Sequence, residues 1–258
     1  MKNQGAQRAC SGQVLIIVSL IITTMLLSTA LYVTETEKTL HLYQQEITMP
    51  FPSYKLATLH TITNALANIS NGGNRAVLTT NLDRLKSVIN ANYYAAILEL
   101  NFQPINIAPY QNGIYIAWGS NGKGVSSACV KAVFNATSAL EGHHAEFIAN
   151  VTSELTISGS YKLLTGAMKQ VDVVCSLLNE GKPALAQNFT FYYEYDGSLS
   201  PEEWIQVVSP SIVDYGNGTY RVSFTAETKH RNNDVLVSVH CRDLRGIFTR
   251  ANVTCIKT

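Results

Sequence analysis

Residues with the chemistry of a site are few and scattered. His143-His144 with Glu146 bring imidazole and carboxylate donors of the kind zinc accepts. On an alternating strand the two histidines would point to opposite faces and no further ligand stands close in sequence, so no metal centre is expected, and Glu141-Gly142-His143-His144 reads as the turn of a hairpin. Gly119-Ser120-Asn121-Gly122-Lys123-Gly124 has the glycine density of a phosphate cradle. It lacks the GxxxxGK[ST] order and no clear helix follows, so it reads as a hairpin turn. Arg242, Arg245 and Arg250 cluster around the final hairpin, with charge suited to an acidic glycan, a lipid headgroup or simple solvation. Tyr192 is the outward ring of the aromatic run 189–195, available to a sugar or a partner, whereas Glu202-Glu203 reads as a solvated turn before Trp204. There is no GxSxG, HExxH or EF-hand loop. The expectation is a protein without catalytic residues, cofactor or metal.

Two modification chemistries remain. Asn-x-Ser/Thr sequons occur at Asn68, Asn135, Asn150, Asn188, Asn217 and Asn252. The chain has 5 cysteines. Cys10 precedes the long apolar run, leaving Cys129, Cys175, Cys241 and Cys255 beyond it, with no Cys-x-x-Cys pair and no zinc spacing.

The element that orients all of these is 14–33, a run without charge, Pro or Gly. As a helix it would be roughly 30 Å long, the thickness of a bilayer core. Lys2 and Arg8 precede it and Glu35 and Glu37 follow, so the positive-inside rule keeps the N-terminus cytoplasmic and puts 40–258 outside. Three readings stand: an uncleaved anchor, a secretory signal peptide cut near Ser28-Thr29-Ala30, and a pilin-type leader cut before the apolar run. Val33, Leu40, Tyr43 and Ile47 extend a helical stripe past the membrane as far as Pro50-Phe51-Pro52.

Beyond that break, Ser53 is an N-cap and Leu56, Leu59, Ile62 and Leu66 form a stripe ended by Asn71-Gly72-Gly73. Leu78, Leu82, Leu85, Ile89, Tyr93 and Ala96 predict a second helix over 80–98, and the pair a helical hairpin. The period then shortens to short strands and two long alternating runs, with Ala128, Val130, Ala132, Phe134 and Ala136 on one inner face and Ala149, Val151, Leu155 and Ile157 on the other. Alternation lapses over 158–166, which predicts a domain boundary. From Met168 onward strand follows strand, with Cys175, Cys241 and Cys255 facing inward. In this phase Asn135, Asn150, Asn188 and Asn252 lie on polar faces, and Asn68 and Asn217 at turns. First and last strands of a sandwich are often neighbours, so Cys175–Cys255 is the disulfide to test, against free buried thiols.

A net charge of +1 with 14% charged residues excludes a chain-wide nucleic-acid footprint, and 46% hydrophobic residues supply a core. Two stretches resemble known families. QRACSGQVLIIVSLIITTMLLSTALYV resembles the N-terminus of archaeal type IV pilin-like surface proteins, which implies a cut after Gly12 and a helix that anchors the subunit before packing a filament core. KPALAQNFTFYYEYDG, YGNGTYRVSFTAET and DVLVSVHCRDLRGIFTRANVT resemble bacterial and filamin-type immunoglobulin-like domains, which implies a β-sandwich and no particular activity.

The expected fold is therefore a membrane-anchored α+β protein: a cytoplasmic leader over 1–13, a transmembrane helix over 14–33 that extends to 47, an extracellular α+β domain over 53–160, and an immunoglobulin-like sandwich over 167–258. The expected role is a cell-surface structural or adhesive protein, a pilin-like subunit or anchored adhesin. The alternative is a monomeric anchored or secreted module that binds a glycan or a protein through the sandwich. Its expected partners are membrane lipid through 14–33, copies of itself or other surface proteins, and a glycan or protein ligand, but not nucleic acid.

Overall fold

The computed structural model describes residues 16–36, 51–92, 97–137, 142–196 and 204–258. By its contacts the chain divides into two units, Met1–Pro50 and Phe51–Thr258.

In the first unit, helix α1 spans Ile16–Thr36, 21 residues long, about 31 Å at 1.5 Å per residue. It is long and apolar enough to cross a membrane, and none of it is buried. Its hydroxyl side chains turn back onto their own backbone: Thr23 donates to Ser19 O at 2.7 Å, Ser28 to Met25 O at 3.0 Å and Thr29 to Met25 O at 3.0 Å. These serine and threonine hydroxyls are thus satisfied inside the helix, as an apolar surrounding requires. The leader over 1–13 and the helical extension to Ile47 lie outside the described residues.

The second unit opens with α2, Phe51–Ser70. It starts before the expected cap at Ser53, because Pro52 fits a first helical turn, where its missing N–H would have had no partner. The buried stripe is Thr58, Ile62, Ala65, Leu66 and Ile69, while Leu56 is 57% exposed. Leu56 therefore lies outside the stripe expected for it. The turn Asn71-Gly72 leads to α3, Val77–Asn92, where Asn74 Oδ1 accepts from Ala76 N at 2.9 Å as a local cap. α3 buries Leu78, Leu82 and Ile89. Its expected extension to 98 is not seen: 93–96 lie outside the described residues and Ile97 already opens a strand.

Strands β1 (Ile97–Pro104) and β2 (Ile114–Trp118) pair end to end along one side of β3 (Lys123–Thr137), from Ile97↔Thr137 to Pro104↔Val130 and from Ile114↔Ala128 to Trp118↔Gly124. β4, Gly142–Leu163, pairs along the other side. α2 and α3 lie on the face carrying Leu100, Ala128, Val130, Phe134, Ala149 and Val151, forming a first core. Phe51, Tyr54, Phe102 and Phe147 ring Phe134 with centroids 5.6–6.1 Å apart. Each fully buried apolar side chain of this kind contributes about 1.5–3 kcal/mol.

The remaining strands are β5 (Met168–Asn179), β6 (Lys182–Pro183), β7 (Ala186–Glu194), β8 (Trp204–Gln206), β9 (Ser211–Asp214), β10 (Thr219–Glu227), β11 (Val235–Asp243) and β12 (Phe248–Lys257). The order along the sheet is β8-β7-β11-β12-β4-β5-β10-β9. Every pairing is antiparallel except β12 with β4, which run parallel through Ile256↔Ser160 and Lys257↔Tyr161. The sheet curls: Phe189 of β7 meets Tyr220 of β10 at 4.7 Å between ring centroids, although four strands separate β7 and β10 in the order. Inside the curl lies a second core, with Leu155 and Ile157 of β4, Val171, Val173 and Cys175 of β5, Phe191 of β7, Val222 and Phe224 of β10, Val237 and Val239 of β11, and Cys255 of β12.

The protein is thus α+β, with an apolar N-terminal helix, a helical hairpin and a large curled, mostly antiparallel sheet. The boundary expected over 158–166 takes a different form. β4 continues to Leu163 and contributes to both cores, so the lapse covers the last residues of this strand and its hairpin turn into β5, where Leu164 N donates to Met168 O at 2.9 Å.

A cleft on the outer face of the curled sheet

The outer faces of β7, β11 and β12 carry two adjacent cross-strand rows. One is Tyr192–Ser238–Asn252 and the other Thr190–His240–Arg250. Period-2 alternation forces this, because the intervening residues Phe191, Val239 and Ala251 fill the second core. Trp204 of β8 forms one rim and Ser120 the other, enclosing a cleft of about 410 Å³ lined by these two with Tyr192, Ser238, His240, Arg250 and Asn252.

The glycine-rich run 119–124 places Ser120 there. Asn252 N donates to Gly119 O at 3.0 Å and Gly122 N to Asn252 O at 2.8 Å, so the β2–β3 turn is hydrogen-bonded to β12. A Cβ on Gly124 would stand 2.0 Å from Arg250 O, and one on Gly122, whose φ is +78°, 2.5 Å from Ile157 O. Only glycine allows that approach. The run is therefore a docking turn for β12, consistent with a hairpin rather than a phosphate cradle.

An aromatic series supports the floor. Tyr192 and His240 ring centroids are 4.7 Å apart, His240 and Phe248 5.4 Å, Phe248 and Trp118 5.1 Å, and the Arg250 guanidinium lies 5.5 Å over Trp118. Trp118 Nε1 donates to Ser126 Oγ at 3.2 Å, and Ser126 Oγ donates to Phe248 O at 2.7 Å, which fixes the indole. Burial, aided by the Arg250 charge, lowers the His240 pKa to about 4, so its ring is neutral at pH 7. Arg250 Nε and Asn252 Oδ1 are buried without a hydrogen-bond partner among the described residues. These two atoms, one donor and one acceptor, are covered polar atoms of two residues that line the cleft.

The arginines of the last hairpin separate by role. Arg245 is structural: its Nε meets Asp243 Oδ2 at 2.9 Å, one terminal nitrogen meets Glu180 Oε1 at 2.8 Å, and the other donates to Thr152 O at 3.0 Å. Arg242 Nε donates to Asn71 Oδ1 at 2.8 Å, tying the sheet to the helical turn. Arg250 alone enters the cleft. Tyr192 does face outward, and its neighbours His240 and Trp204 were not singled out from sequence. Strict alternation along 235–243 was the signal that could have found His240.

Among the sequon residues Asn68, Asn150, Asn188 and Asn217 are exposed, whereas Asn135 and Asn252 are half-buried. Asn135 Oδ1 lies 2.6 Å from His144 Nδ1, which accounts for that histidine. Among the described residues no group of three His, Cys, Asp or Glu could hold a metal ion.

Cys129, Cys175, Cys241 and Cys255 are buried free thiols. The Cys175–Cys255 pairing expected from neighbouring first and last strands meets an obstacle: β4 runs between β5 and β12. Two strand spacings are about 9–10 Å, beyond the reach of roughly 7 Å between disulfide-linked Cα atoms. Burial pushes the Cys175 and Cys255 thiols up to about 12. A Cβ on Gly159 would stand 2.4 Å from Cys255 Sγ, so Cys255 fills the space that this glycine leaves.

Compared with known proteins, the chain matches no protein-family model and no curated protein.

Proposed function

We propose that this is an anchored cell-surface binding protein without enzymatic activity, held by α1 and presenting the second unit outside the cell. The observation that carries the reading is α1 itself: a long apolar helix with no charge before Glu35, in which every serine and threonine hydroxyl from Ser19 to Thr34 bonds to its own backbone. Lipid suits such a surface, and so do packed helices of further copies, as in a pilin-like filament.

The distal part is an immunoglobulin-like sandwich in this reading. β4-β5-β10-β9 and β8-β7-β11-β12 form facing halves around one core, and the first and last strands, β4 and β12, run parallel. That assignment moves the start of the sandwich from Met168 back into β4. Such a module offers its outer face and loops to ligands. The exposed sequon residues Asn68, Asn150, Asn188 and Asn217 fit an extracellular, glycosylated surface.

Surface biotinylation and protease shaving of intact cells, with fractionation and N-terminal sequencing, test the reading. Recovery in the membrane fraction with biotin on 51–258 supports it, and an intact Met1 identifies a permanent anchor. A mature chain starting at Gln13 in sheared filaments assigns α1 to a filament core. A protein inaccessible to both reagents overturns the reading.

A further inference from the structure

We propose that the cleft on β7, β11 and β12 is a binding site for a carboxylate-bearing sugar, a hexuronic acid or a similar acidic residue of a glycan. This deepens the surface-binding reading and rests on it. Its floor places Arg250 and Asn252 two residues apart on the same face of β12, hence about 7 Å along the strand, a separation suited to a carboxylate and a hydroxyl on opposite sides of a pyranose. Arg250 Nε is a donor without an acceptor, and Asn252 Oδ1 an acceptor without a donor. A sugar acid offers carboxylate oxygens to the guanidinium and hydroxyls to the amide of these two lining residues, and reaches the covered Nε and Oδ1 as the two side chains turn toward it.

Charge points the same way. Among the described residues that line the cleft, Arg250 is the one charged at pH 7, because His240 stays neutral and none of the others is a carboxylate. No ion pair of Arg250 occurs among the described residues; its contact is the Trp118 ring. A guanidinium in a half-enclosed site without a counter-ion favours an anion there.

Shape separates a sugar from an acidic peptide. Tyr192 and Trp204 offer aromatic surface, on which the C–H face of a pyranose packs. About 410 Å³ lies within the range of small-ligand sites. A peptide bound by strand addition needs a free edge, whereas β7 and β11 pair on both sides, and β12 pairs with β11 on one side and contacts the 119–122 turn and β4 on the other.

The test titrates glucuronate into the full-length chain in detergent micelles, following tryptophan fluorescence and heat, with glucose and the dipeptide Glu-Glu as comparators. Saturable glucuronate binding is expected, at least tenfold tighter than glucose or Glu-Glu. Arg250→Gln should weaken glucuronate at least tenfold, to the level of glucose, without altering the near-UV spectrum. Trp204→Ala should weaken both sugars. If Arg250→Gln does not fold, Asn252→Asp replaces it: the added carboxylate should repel glucuronate and cut affinity at least tenfold. Equal binding of glucose and glucuronate, tighter binding of Glu-Glu, unchanged affinity in the cleft variant that folds, or no binding at all each overturn the proposal. Biotin labelling of the same chain reads surface placement separately. A chain labelled outside that ignores glucuronate loses the ligand and keeps the surface reading; a chain never labelled loses the surface reading even if glucuronate binds.

Discussion

His240 is held between Tyr192 and Phe248 with Arg250 directly opposite on the neighbouring strand. In the unfolded chain its imidazole binds a proton near the ordinary 6.5, whereas the folded ring refuses one until about pH 4. Between those values the unfolded state holds more protons, so acid destabilises the fold, by at most about 1.4 kcal/mol per pH unit before solvent screening reduces it. His240→Gln should flatten the fall in stability between pH 6.5 and 4, read as urea midpoints against pH for both chains; parallel curves would count against a neutral buried imidazole. Asp243, fully buried, is the other residue on which much depends. Its carboxylate accepts from Arg245 N, Ile247 N and Arg245 Nε, each at 2.9 Å. Asp243→Ala removes all three hydrogen bonds and should cost about 3 kcal/mol. Asp243→Asn, which keeps an acceptor, should cost less.

At the scale of elements, the decisive contact is the β2–β3 turn against β12. It depends on Gly124, where an added methyl would meet Arg250 O at 2.0 Å. Backbone cannot yield as a flexible side chain does, so Gly124→Ala should destabilise by about 2–3 kcal/mol or more. Gly181→Ala is the comparison: φ is +75° but nothing lies within 4 Å of the added methyl, so only the left-handed backbone is penalised, by about 1 kcal/mol. Urea unfolding of both variants reads the difference, and equal losses would mean that the turn does not press on β12. Because this turn carries Ser120, loosening it also opens one rim of the cleft.

At the scale of the molecule, β4 is the shared member. Its residues Ala149 and Val151 belong to the core under the helices, and Leu155, Ile157 and Tyr161 to the core inside the curl. Arg245 reinforces the join, bonding Thr152 O of β4 and Glu180 at the β5–β6 turn from the β11–β12 hairpin. A continuous strand cannot melt at one end without exposing the other, so the fragment Phe51–Thr258 should unfold in a single cooperative transition. Coincident far-UV and near-UV melts, with one global hydrogen-exchange limit for both cores, are expected. Two separated transitions would restore the two-domain organisation that the sequence suggested.

Much of this was legible in local pattern, and the rest depended on partners distant in sequence. Periodicity alone determined the apolar N-terminal helix, the helical hairpin, the inward face of nearly every strand and the burial of Cys175, Cys241 and Cys255, because 3.6- and 2-residue repeats report which side of an element faces a core. It could not determine which strands become neighbours. The insertion of β4 between β5 and β12 joins Ser160 to Ile256, far apart in sequence; it separates Cys175 from Cys255 and turns the apparent domain boundary into a hairpin. The same limit applied to the cleft. Tyr192, Trp204, His240, Arg250 and Asn252 come from four strands, and Ser120 from a turn hydrogen-bonded to one of them. The two-residue period alone puts Arg250 and Asn252 on one face of β12, but only the register of the strands brings Tyr192, Ser238 and His240 alongside them.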